Sequence, residues 1–73
     1  MTKWEYLFLT CEYIKGDWHP RFANGKPVGE LPGDWDEKTL YDFSNKLGET
    51  GWELVDFMTE RDTFRVVFKR PKN

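Results

Sequence analysis

One cysteine, Cys11, and one histidine, His19, are all the chain has of either among its 73 residues. A single thiol forms no internal disulfide, and no cysteine-based zinc site can be built within one chain. Long apolar runs are missing too. The longest is Tyr6-Leu7-Phe8-Leu9, far short of the roughly 20 residues of a membrane-spanning helix. Glu5 interrupts the same region, so it does not read as a secretory signal, and a cytoplasmic location with no membrane contact is expected. There is no glycine-rich phosphate loop, no dinucleotide fingerprint and no Ser-His-Asp pattern.

These absences bear directly on catalysis. Asp17 and His19 offer two metal ligands where a site needs three or four, so no metal site is expected. Cys11 falls within a strand pattern with no base nearby in sequence and reads as a buried, inert thiol. The carboxylates Asp34, Asp36 and Glu37 cluster where a helix begins, and capping accounts for them. The residues therefore point to a non-enzymatic protein with no catalytic residue and no cofactor.

What the chain has in quantity is aromatic and charged side chains. Four Trp, three Tyr and six Phe make up 18% of it, which supplies large buried areas and argues against disorder. A chain this short forms one domain, 1–73, and buries roughly 60–65% of its unfolded surface, so the core is thin. The net charge of -2 gives no general attraction to nucleic acid or anionic membranes. Locally the balance is uneven. Arg61, Arg65, Lys69, Arg70 and Lys72 stand against Asp62 alone at the end of the chain, and the preceding part is acidic. An acidic body with a basic last strand suits self-association or a small anionic ligand. The simpler expectation is a charged edge strand that resists aggregation.

Residues Lys3 to Lys15 alternate as a strand, with Trp4, Tyr6, Phe8 and Ile14 on one face and Leu7, Leu9, Cys11 and Tyr13 on the other. Both faces are apolar, and one helix covers only one of them. The other face must be covered by the following loop or by another subunit. Residues 16–35 are rich in Gly and Pro and read as an irregular arm, with a small hairpin at Asn24-Gly25 between Arg21-Phe22-Ala23 and Lys26-Pro27-Val28. The single helix is expected from Glu37 to Leu47, with Leu40, Phe43 and Leu47 forming its apolar stripe. Asp36 caps it with a Trp35–Leu40 staple, or Asp34 does with Glu37 closing a capping box. Gly48 is expected as the left-handed stop and Gly51 as the release into the next strand. Strands then follow at Trp52 to Thr59 and Thr63 to Arg70, forming an antiparallel hairpin that ends at Pro71. The class is α+β: a small antiparallel β-sheet with one helix packed on one face, in the order β-(hairpin arm)-α-β-β.

Three pieces of sequence carry a resemblance. The opening Trp4-Glu5-Tyr6, the central Leu47-Gly48-Glu49-Thr50-Gly51-Trp52-Glu53-Leu54-Val55 and the closing Phe68-Lys69-Arg70-Pro71 together resemble the small bacterial domain-of-unknown-function family 4177. The arm from Gly16 to Gly33 departs from that pattern. The resemblance implies a fold and a bacterial or phage origin, and it implies no reaction. Its motif residues also have direct structural roles as turn, core and interface positions, and Glu53 points outward where it can meet a base on a neighbouring strand.

Binding is the function class with the most residue support. Trp18, His19, Arg21 and Phe22 place aromatic faces and cations in one arm, and Arg65 and Lys69 add charge from the last strand. Such groups stack on a planar ligand or hold an anionic one. The competing expectation has Trp18 and Phe22 folding back to cover the second face of the first strand. Excess apolar area points to a homo-oligomer. The expected function is thus a self-associating binding module for a small planar or anionic ligand. The alternative is a protein–protein adaptor. Single-stranded nucleic acid, bound through Arg61, Arg65, Lys69 and Arg70, ranks behind both because the pI is near 5.3 and no nucleic-acid motif is present.

Overall fold

Alternating apolar residues make Lys3–Ile14 the longest strand, β1, in the computed structural model, which describes residues 1–31 and 38–72. It is followed by β2 (Asp17–Ala23), β3 (Lys26–Pro27), a 3-10 turn (Val28–Glu30), helix α1 (Leu40–Glu49), β4 (Glu53–Glu60) and β5 (Thr63–Lys72). The five strands form one antiparallel sheet in the order β3-β2-β1-β5-β4. No helix among the described residues is long and apolar enough to cross a membrane.

The arm is more regular than its composition suggests. Lys15 and Gly16 both take left-handed backbone, with φ of 52° and 86°, and fold β2 directly back onto β1. Asn24 and Gly25 repeat the device with φ of 52° and 82°, giving the expected small hairpin with β3. Two positive-φ residues are what a two-residue hairpin turn needs to match strand twist. Pro20 is tolerated within β2 because β3 pairs only with Phe22 and Ala23, leaving Pro20 on an outer edge. A register shift between Thr10 and Cys11 leaves Arg21 as an extra residue there. The Asn24 side chain accepts a hydrogen bond from Phe8 N at 2.9 Å, and Asn24 N donates to Phe8 O at 2.8 Å. The second turn is thereby fastened to the middle of β1.

The helix starts three residues later than expected, at Leu40, and Thr39 is its cap: its Oγ1 accepts from Asp42 N at 3.2 Å. The expected caps Asp34 and Asp36, with Glu37 and Trp35, lie outside the described residues. The apolar stripe is as read: Phe43 and Leu47 are buried, and Leu40 packs against the core they share with Leu9, Cys11, Val66 and Phe68. The helix stop needs correction. Gly48 lies inside α1, and Gly51 is the left-handed residue, with φ of 93°. Trp52 N reaches Leu47 O at 3.0 Å and Gly51 N reaches Gly48 O at 3.1 Å. This is the double-bonded Schellman stop, shifted three residues along because Gly48 still has helical bonds to make. Pro71 likewise does not end the sheet. It pairs with Trp4, and Lys72 with Lys3, beyond the last β4 pair at Glu53–Lys69.

Arg70 ties the two layers together. Its guanidinium pairs with Glu5 across the β1–β5 ladder, donates to Thr50 O at 3.3 Å at the helix end, and lies 4.4 Å from the centre of the Trp52 ring.

The two glycines have opposite expected effects. A Cβ at either position meets nothing within 4 Å, so backbone conformation alone decides. Gly48→Ala raises unfolding free energy by about 0.5–1 kcal/mol, as in a helix interior, and Gly51→Ala lowers it by about 1–2 kcal/mol, as for a forced left-handed residue. Urea denaturation of the two variants checks both signs.

Candidate functional site

Residues directly opposite one another in a ladder share a face, so the registers define the two sides of the sheet. Leu7, Leu9, Cys11, Phe64, Val66 and Phe68 lie on the side that α1 covers. The opposite, open side is built of rungs. Tyr6 stands opposite Lys69, which stands opposite Glu53. Phe8 faces Val67, which faces Asp56. The next rung crosses four strands: Phe22, Thr10, Arg65 and Met58. The last runs through His19, Glu12, Thr63 and Glu60.

Among the described residues none covers these rungs. Phe8 remains 56% exposed, Met58 54%, Tyr6 48%, and Trp4 and Phe22 41% each. Lys69 lies 4.3 Å from the centre of the Trp4 ring, so part of this surface already binds a cation by its aromatic face. Phe8, Thr10, Asp56, Met58, Arg65 and Val67 line a shallow depression of about 310 Å³ in the middle of the face. A second hollow, of about 370 Å³, lies on the helix side between α1 and β4, against Tyr41, Leu54, Phe57 and Phe64.

The six residues expected to bind ligand separate into two groups. Phe22 and Arg65 flank Thr10 on the open face, Lys69 lies on the same face, and Arg21 is exposed beside Glu12, with an N···O distance of 3.3 Å. These four share the open face, with Lys69 at its Trp4 end and Arg21 at its Glu12 end. Trp18 does not join them. Its ring packs on the helix side between Tyr13 and Phe64, with centroids 5.3 Å from each. Trp18 is thus core packing, the second of its two expected roles, while Phe22 stays exposed. His19 Nδ1 lies 3.3 Å from Lys38 O and links β2 to the chain entering α1.

The basic strand divides the same way. Arg65 and Lys69 belong to the open face, whereas Arg70 is turned to the other side against Glu5, and Arg61 sits in the β4–β5 turn with φ of 50°. The four bases do not form one phosphate-contacting surface. Sequence reading missed Met58 and Asp56, although the alternation of β4 placed both on the face of Arg65. A bulge at Val55 hides that alternation, because it resets the register between Leu54 and Asp56.

Among the described residues no group of three or more side chains is arranged to hold a metal ion. Asp17 Oδ1 accepts from Trp18 N at 2.9 Å, which occupies it locally. Cys11 is fully buried, and burial pushes its thiol up to about 12. Comparison with protein-family models, curated proteins and solved structures finds no match to the chain.

Cys11 supplies a pH prediction. Its neutral thiol is favoured in the folded state, so this contribution to stability is complete below about pH 9 and is lost as pH rises toward about 12. At pH 8 iodoacetamide should leave the folded protein unmodified and alkylate it fully in guanidinium. Labelling of the native protein at the rate of a free thiol would refute the buried position.

Proposed function

We propose that the protein is a non-catalytic binding module that self-associates through the open face of its sheet and holds a small planar or anionic ligand against that face. The observation that carries this reading is the row Trp4, Tyr6, Phe8, Phe22 and Met58, exposed together on one surface. Burying a large apolar side chain fully is worth roughly 1.5–3 kcal/mol, so five half-exposed ones leave a strong drive toward association. A face of this kind marks an interaction surface rather than ordinary scattered exposure. The depression at its centre combines Phe8 and Met58 with Arg65, an apolar floor beside a planar cation. Its volume is at the small end of ligand sites. Closing a second copy over it turns an open hollow into an enclosed one.

A second reading has its own observation. All eight residues of β4 are exposed, and β4 is the end strand of the sheet. An adaptor could accept a strand of another protein there. The bulge at Val55 and the acids Glu53, Asp56 and Glu60 work against that, as blunted edges do.

Native mass spectrometry of untagged protein tests the proposal. A discrete oligomer carrying additional non-covalent mass is expected, and a monomer at micromolar concentration would refute it. Phe8→Glu should dissociate the oligomer while leaving the far-ultraviolet circular dichroism unchanged. The variant Arg65→Ala should keep the assembly and lose the added mass. Retention of that mass would exclude this cation as a ligand contact.

A further inference from the structure

The open face has a direction as well as a composition. Across the sheet its columns differ in character. On β4 the residues facing out are Glu53, Asp56, Met58 and Glu60; on β5, Thr63, Arg65, Val67 and Lys69; on β1, Trp4, Tyr6, Phe8, Thr10 and Glu12; on β2, His19, Arg21 and Phe22, with Arg21 already paired to Glu12. One outer column is acidic around a methionine. The other is basic around a phenylalanine. Two copies pack face to face by a two-fold axis lying between the sheets, and that axis runs either along the strands or across them.

The two choices bring different columns together. An axis across the strands lays β4 on β4 and β5 on β5. Turned about the Phe8 level it sets Asp56 against Asp56 and Lys69 against Arg65; turned about the Thr10 level it sets Asp56 against Glu60. Like charges meet in each case, which is costly at an interface. An axis along the strands lays β4 of one copy on β2 of the other, and β1 on β5. Rungs then meet at their own level. Met58 lies over Phe22, Phe8 over Val67, Tyr6 over Lys69, and Glu60 over His19 and Arg21. Apolar meets apolar, aromatic meets cation, and acid meets base.

We propose, resting on the self-association above, that the protein forms a two-fold dimer whose axis runs parallel to β1 and β5, with β4 of each copy packed on β2 of the other. The area is sufficient. The four strands, about 4.8 Å apart and 7 to 12 residues long, present roughly 600 Å² per copy, or about 1,200 Å² in total, the lower bound of a specific interface. Every contact occurs twice, and no charged column is left facing its own kind.

Mixed cross-linking tests the direction. Phe22→Cys and Met58→Cys are prepared separately, mixed in equal amounts, allowed to exchange, and treated with a short bismaleimide, which tolerates the sheet-to-sheet rotation. Both sites are exposed, so folding should persist, and buried Cys11 should not react. Random exchange of a two-fold dimer puts about half of the dimers in the mixed form. The expected product is a conjugate joining position 22 of one chain to position 58 of the other. It should be confined to the mixture and involve up to that fraction of the chains, with neither variant linking to itself. Self-linking of Met58→Cys alone would overturn the direction in favour of an axis across the strands. A dimer mass without any conjugate would overturn the β4-on-β2 contact but leave open-face self-association standing. A monomer mass for the unsubstituted protein would overturn both.

Discussion

Pairing of β1 with β5 is the interaction on which everything else depends. The ladder runs without a break from Lys3–Lys72 to Glu12–Thr63. It joins the two longest strands of the chain and puts both inside the sheet. β2 hangs on one side of this pair through the Lys15-Gly16 turn and β4 on the other through Arg61-Asp62. The core is made of alternate side chains from this pair, with Phe43 and Leu47 closing it from above. Loss of the central ladder would leave two separate hairpins, and isolated hairpins are marginal in water.

The same constraint produces the open face. Alternation on β1 places Leu7, Leu9 and Cys11 toward the helix, which obliges Tyr6 and Phe8 to point the other way. A one-residue slip would exchange an apolar set for another apolar set. The register is therefore held by other means: the Asn24 bonds to Phe8, the Glu5–Arg70 pair and the contact of Arg70 with Trp52. Such fastenings do for a two-faced strand what a polar outer face does for an ordinary one.

Much of the fold was legible because its signals are local and periodic. The two faces of β1, the helix stripe, the Asn24-Gly25 turn and the β4–β5 hairpin all follow from spacing. Three features were not. Lys15-Gly16 makes the same turn as Asn24-Gly25 without an Asn, so β2 looked like part of a loop. Gly48 and Gly51 are both plausible stops, and only the hydrogen bonds of Leu47 and Gly48 select between them. Trp18 and Arg21 are neighbours in sequence, but strand alternation and the extra residue at Arg21 put them on different sides. Of the residues grouped from sequence, Arg21, Phe22, Arg65 and Lys69 lie on the open face, and Trp18 packs with the core.

Central placement of β1 and β5 also matters while the chain is being made. Translation proceeds from the amino end, and β1 emerges long before β5, its main partner. Until then only β2 can shield it, and the Lys15-Gly16 turn, being short and local, allows that hairpin to close early. Neither apolar surface of β1 has its β5 partner in the meantime, so the growing chain carries exposed apolar surface, the condition that favours aggregation, until the last strand is delivered.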